Sequence, residues 1–157
     1  LSSAWVGPQG AAARRAGTML IAIPLLLIPV MLYNIVVLFG GSGEGAVNGD
    51  ALLREPVFSV TMTSGAQWTI GAGDMILFVG LILLFFELVK STSSQRAAII
   101  NHALSMILFV VCLIEFLLLR GFATSTFFLI LIMVLLDVLA GFIVTIVASR
   151  RDMDFRS

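Results

Sequence analysis

The sequence predicts an all-α integral membrane protein, a bundle of four transmembrane helices with a small β-hairpin in a long first extracytoplasmic loop. Three observations predict it. Hydrophobic residues make up 60% of the 157-residue chain and charged residues only 11%, far from the mixture of a soluble domain. The apolar residues gather into four runs, each close to or above the roughly 20 residues with which a helix crosses a hydrocarbon layer about 30 Å thick. Between the first and second runs lies a stretch that alternates in the manner of strands.

The first run, 18–40, follows Arg14 and Arg15 and holds Pro24 and Pro29. Each proline removes a backbone donor, so this helix is expected to bend, with neighbouring helices or water satisfying the freed carbonyls. Two arginines, an apolar stretch and the small-residue segment GGSGEG also imitate a cleaved leader. The run is long for a leader core and no A-x-A site follows it closely, so helix one is expected to stay. The glycines of GGSGEG then make a flexible exit from the membrane.

Residues 57–70 read VFSVTMTSGAQWTI. With a three-residue turn Thr63-Ser64-Gly65 and Gly65 in the left-handed conformation, Met62 faces Ala66, Val60 faces Trp68 and Phe58 faces Ile70. All six apolar residues then share one face, and Ser59, Thr61, Gln67 and Thr69 share the other. A two-residue Ser64-Gly65 turn would oppose Met62 to Gln67 and mix the faces, so the pattern selects the longer turn. A lone hairpin is marginal in water, and its apolar face needs a cover. The candidates are this chain's own helix ends and the membrane interface, other copies of the chain, or a different protein. Its two unblunted edges favour use in assembly over a simple lid.

The second to fourth helices are expected at 72–89, 97–119 and 122–148, with a tail at 149–157. Asp74 stands where it can cap or charge-stabilise the start of the second. Arg120-Gly121 leaves so little chain between the third and fourth that they must be antiparallel neighbours. Arg14, Arg15, Lys90, Arg96, Arg150, Arg151 and Arg156 fall on one side of such a bundle, which the bias of short cytoplasmic loops for basic residues marks as the cytoplasm. Both termini are then cytoplasmic and the hairpin is outside, in a periplasm or its equivalent.

Polar side chains within the runs are costly and usually face protein or water. Asp137 lies near the middle of helix four, and Ala140, Gly141, Thr145 and Ala148 fall near its face, a stripe that admits a close helix with Asp137 bonding across the contact. Gly73, Gly80 and Glu87 recur every seven residues and share a face of helix two. Helix three adds Asn101 and His102 towards the cytoplasm and Glu115 towards the outside. The helix rise brings Glu87, His102 and Asp137 to similar depth as one expected cluster, and Glu115 to the depth of Asn34 in helix one as a second polar layer. Two such layers suit either interhelical packing or a path for protons or cations. Asn101 and Glu115 share a face while His102 points about 100° away, which argues against one continuous line.

No catalytic constellation is present: the chain has no H-E-x-x-H, G-x-S-x-G or Walker sequence, and only one histidine. The one cysteine, Cys112, sits in an apolar run and reads as a small packing residue rather than a thiolate ligand. A net charge of zero, with no basic face, gives no pull towards nucleic acid. No cofactor or metal is implied.

The stretches GDMILFVGLILLFFELVKS and NHALSMILFVVCLIEFLLLRGFATSTFFLILIMVLLDVLAGFIV, covering 73 to about 150, resemble a group of uncharacterised bacterial inner-membrane proteins with four helices. That resemblance implies a bacterial inner-membrane location and no particular activity. The order helix, outer strands, three helices is also similar to claudins in layout alone, since the tryptophan and paired-cysteine signature of their loop is missing. The expected function is non-enzymatic assembly in the lipid bilayer, as a homo-oligomer or as an accessory subunit of a larger membrane complex. The alternative is a proton or cation transporter using Glu87, His102, Glu115 and Asp137.

Overall fold

The computed structural model describes residues 7–40, 49–90 and 95–156. In chain order they form α1 (Pro8–Ala22), α2 (Leu27–Phe39), the short α3 (Gly49–Leu53), β1 (Pro56–Thr61), β2 (Gln67–Gly71), α4 (Ala72–Lys90), α5 (Gln95–Leu118), a 3-10 turn (Arg120–Phe122) and α6 (Ser125–Asp154). The glycine-rich exit at 41–45 and the loop at 91–94 lie outside the described residues.

Among the described residues three helices, rather than the expected four, are long and apolar enough to cross a membrane: Ala72–Lys90, Ala98–Leu118 within α5, and Ser125–Asp154. The run at 18–40 is divided. Ile23, which precedes Pro24, takes an extended ψ of 130°, because the proline ring disfavours a helical conformation in the residue before it. The helix restarts at Leu27 after a four-residue break. Its 13 residues span about 20 Å, short of the hydrocarbon layer by themselves. Pro29 makes no kink of its own: it stands third in α2, where a backbone N–H has no partner inside the helix anyway. At the other end of the chain α6 runs on to Asp154, so much of the expected tail is helical.

Helix α6 lies in the middle of the bundle, packed against α5 on one side and α4 on the other, while α2 leans on α4 and α1 on α5. The break at 23–26 therefore carries the chain from α5 across to α4. Side-chain size decides where the helices come closest. A Cβ on Gly80 would stand 3.0 Å from Met133 Sδ of α6 and 3.6 Å from the Pro29 ring of α2, and one on Gly73 would stand 3.0 Å from Thr126 Oγ1. The small-residue face of α4 is thus used inside the chain, and is not left for a partner.

The end of the bundle at the 3-10 turn is closed by Tyr33, Phe122 and Phe127, whose ring centroids lie 4.7–5.3 Å apart in the tilted and edge-on arrangements that aromatic quadrupoles favour. All three are fully buried. The Tyr33 hydroxyl donates to the Gly121 carbonyl at 3.0 Å and bonds to Thr124 Oγ1. Thr124 in turn caps α6 by accepting from the Phe127 N–H at 3.1 Å. Strand β2 enters α4 without a loop, and Asp74 reaches back to accept from the Gly71 N–H at 2.9 Å, the acidic half of a capping box.

Candidate functional site

The hairpin and the intramembrane polar groups are the two places where the chain departs from an apolar bundle. The strands pair antiparallel with Phe58 opposite Ile70, Val60 opposite Trp68 and Thr61 opposite Gln67. Gly65 has φ of 84°, the left-handed turn conformation that glycine takes most readily, and the Met62 N–H donates to the Ala66 carbonyl at 2.8 Å. This is the register with every apolar side chain on one face. A cross-strand bond from Gln67 Nε2 to Thr61 Oγ1, 2.8 Å, joins two residues of the other face. A bulge falls between Pro56 and Phe58 at the foot of the hairpin.

Only that foot is anchored. Ile70 and Gly71 are buried, and Gly71 lies so close to the Leu53 carbonyl that a Cβ there would stand 2.8 Å from it. Phe58, Val60, Met62 and Trp68 are 38–53% exposed, and Ala66 is exposed beside them. Among the described residues, the chain's own helices therefore do not cover the apolar face.

Within the helices, Glu87 is fully buried and takes three donors. Its Oε2 accepts from the Leu25 N–H at 2.8 Å and lies 3.4 Å from Lys90 Nζ. Its Oε1 accepts from Asn101 Nδ2. Lys90 Nζ also donates to the Ile23 carbonyl at 2.9 Å. One i, i+3 pair on α4 thus holds a donor and an acceptor freed at the Pro24 break, while Asn101 ties the same carboxylate to α5. A buried acid persists where its charge is paired and its lone pairs are used.

The expected cluster of Glu87, His102 and Asp137 is divided differently. Asn101, not His102, meets Glu87, and Asp137 of α6 accepts from Ser105 Oγ of α5 at 2.6 Å. The direction of the side chains decides this, since successive residues point about 100° apart on a helix. His102 packs its ring over Gly141, where a Cβ would run into it, and edge-on against Phe142 with centroids 4.8 Å apart. Its buried Nδ1 and the Oδ1 of Asn101 have no hydrogen-bond partner among the described residues. Asn101, His102, Ser105, Asp137 and Gly141, together with Thr145 and Ala148, line a groove of about 210 Å³ between α5 and α6.

The pair of Asn34 and Glu115 is weaker. Asn34 Nδ2 donates to the Val30 carbonyl of its own helix at 2.9 Å and stands 3.5 Å from Glu115 Oε2, the limit of a hydrogen bond. Ala140 is half-buried, and the Thr145 hydroxyl donates to the Gly141 carbonyl at 2.9 Å. Sequence reasoning missed Ser105, Tyr33 and Thr124, and did not join Lys90 to the Pro24 break. The i, i+3 spacing of Glu87 and Lys90 and the single tyrosine of the chain were the available signals.

The chain matches no family model, no curated protein and no solved structure, so its function rests on these residues.

Proposed function

We propose that this is a non-enzymatic membrane assembly protein, which self-associates or joins a larger membrane complex as an accessory subunit, with the outer hairpin as its contact element. One observation carries the reading: a hairpin with a complete apolar face, Phe58, Val60, Met62 and Trp68, is left open by the described residues of its own chain. An isolated two-stranded hairpin gains too little by itself to hold such a face in water. Patches of this kind mark sites of association. The small-residue face of α4 around Gly73 and Gly80 is already filled inside the chain, which takes it out of the partner contact.

In this reading the bundle sits in a bacterial inner membrane with both termini cytoplasmic and the hairpin periplasmic. The end of α1, the break at 23–26 and α2 together make the fourth crossing. The test is native mass spectrometry after gentle extraction from the membrane. A multiple of 16.9 kDa, or a stoichiometric complex with other subunits, is expected, and Trp68→Asp should release a single chain with its helical signal unchanged. A single chain from the unaltered protein would overturn the proposal.

A second reading, proton or cation transport, is favoured by the broken helix, because breaks of this kind bring backbone groups and buried acids together near the middle of many transporters. Here Glu87 meets the break directly. Neutralising Asp137 and Glu115 separates the two: loss of ion flux in an intact assembly supports transport, and impaired assembly supports a packing role.

A further inference from the structure

From Asp137 towards the C-terminus of α6, every fourth residue is small or polar: Asp137, Gly141, Thr145 and Ser149, with Asp152 one turn further on. Residues three and four apart are neighbours on a helix surface, and all five line the groove between α5 and α6. The groove therefore starts in the middle of the bundle, with Asp137 about 18 Å of helix rise from Ser149, and opens at the end of α6. Asp137 is 5% exposed, and its Oδ2 accepts from Ser105 Oγ. The buried polar atoms without a partner among the described residues are Asn101 Oδ1 and His102 Nδ1, both sealed within the packing. Asp137 Oδ1 is not one of them, although no described residue donates to it. The surface that Asp137 retains thus includes this oxygen, and it faces the groove.

Farther out, the Thr145 hydroxyl donates to the Gly141 carbonyl and the Ser149 hydroxyl to the Thr145 carbonyl, both at 2.9 Å. Each has spent its one proton inside the helix and keeps oxygen lone pairs to offer. A carboxylate at either end of the groove, with acceptor oxygens between, suits a small donor repeated along its length. Water is such a donor, and about 210 Å³ holds a file of several molecules. An acyl chain in the same place would leave the carboxylate and the hydroxyls unsolvated, which is costly in an apolar medium. No lysine or arginine lines the groove to hold an anion there.

We propose that this groove is a water-filled inlet through which Asp137 exchanges protons with the side of the membrane on which α6 ends, the cytoplasm in the orientation proposed above. A hydronium ion entering past Asp152 gives its proton to Asp137 Oδ1 and leaves as water. The reverse step returns the carboxylate, with Ser105 still bonded to Oδ2. The charged groups that act on Asp137 are Glu87 and Lys90 of α4. His102 of α5 borders the groove one turn outward and Asp152 stands at its mouth, while α2 carries no charged residue. Glu87 is fully buried and held by three donors, which leaves Asp137 as the acid that water reaches. The inference names the species and the entry side for the transport reading, and rests on that reading only for what lies beyond Asp137.

The test compares neighbouring single cysteines in inverted membrane vesicles, using aminoethyl methanethiosulfonate, which reacts with the thiolate that forms in water and not with a thiol in lipid. Thr145→Cys and Ala148→Cys lie in the groove. Ile146→Cys and Val147→Cys, beside them in the chain, lie on the exposed apolar surface away from it. Each groove position should react about tenfold or more faster than its neighbour, and the native Cys112, 0% exposed, stays silent. In hydrated films of the protein in lipid, the infrared band of a protonated carboxyl that is lost in Asp137→Asn should grow as the bulk pH falls. Val144→Phe fills the groove and keeps the acid. It should slow both the labelling of Thr145→Cys and the exchange of that carboxyl into D2O by about tenfold, and it decides the matter should Asp137→Asn fail to fold. Equal labelling within each neighbouring pair would mean that lipid or another helix fills the groove, and would overturn the proposal, as would a carboxyl band indifferent to bulk pH. Proton uptake by proteoliposomes tests the transport reading separately: a wet groove without uptake keeps the inlet and removes transport, and uptake with a dry groove does the reverse.

Discussion

A single carboxylate, Glu87, joins three segments of this chain. It accepts from the Leu25 N–H at the break after α1 and from Asn101 of α5, and stands beside Lys90 of its own helix. Glu87→Ala would leave these buried donors without a partner, and the expected loss is about 2–4 kcal/mol, given what buried pairs and intramembrane hydrogen bonds contribute. Glu87→Gln keeps the shape and one acceptor and should lose less. Unfolding in mixed micelles would check the order of the two. Tyr33→Phe removes a hydroxyl bonded to Gly121 and Thr124 but keeps the ring stack, for an expected cost of about 1–2 kcal/mol in the same measurement. Equal stability of Tyr33→Phe and the unaltered chain would mean the hydroxyl finds no net gain over its alternatives. At this scale the sequence exposed which residues are costly, because an acid inside an apolar run is visible by itself. It did not expose their partners: His102 and Asn101 are adjacent in the chain and point about 100° apart, and only the packing of α5 on α4 and α6 decides which one meets Glu87.

Among the elements, the hairpin was the most legible. Its register follows from a period of two and one glycine, both local properties, and the observed pairing of Val60 with Trp68 uses them. Gly65→Ala tests the turn without touching a neighbour, since a Cβ there meets nothing within 4 Å. The cost is then purely that of φ at +84° for an L-residue, about 1–2 kcal/mol, with Gly65→Asn losing less. Global unfolding would miss so local a change. Hydrogen exchange at the amides of β1 and β2 should instead rise by about tenfold in Gly65→Ala while the helices keep their protection. Uniform exchange across the chain would show that the hairpin opens only with the bundle. The broken first helix was legible in part. Pro24 and Pro29 both signal a disturbance, yet only Pro24 breaks the helix, because α2 restarts just before Pro29 and leaves it in the first turn. Where a helix restarts is set by what holds the break, here Glu87 and Lys90 from another element, and a window of sequence around the prolines does not contain them.

The path of the whole chain depends on what that break does. Helix α1 packs on α5, α2 packs on α4, and the far end of α2 reaches α3 and the 3-10 turn after α5. In the four-crossing reading proposed above, the break shifts the chain sideways without reversing it, so residues before α1 and after α2 should lie on opposite sides of the membrane although neither helix spans it alone. In the proposed orientation, the bias of cytoplasmic loops for basic residues such as Lys90, Arg150, Arg151 and Arg156 puts the ends of α4 and α6 on the side of α1. Labelling of single cysteines tests this directly, and the native Cys112 does not interfere because it is 0% exposed. An impermeant maleimide applied to intact cells should label Ser64→Cys at the hairpin tip, and should reach Ala11→Cys and Arg156→Cys only after the membrane is opened. Labelling of Ala11→Cys together with Ser64→Cys, with Arg156→Cys protected, would mean that the first segment folds back, leaving three crossings and the α1 arginines outside. The break would then be a re-entrant turn held by Glu87, and the weight of function would pass from the hairpin to the acids that line it.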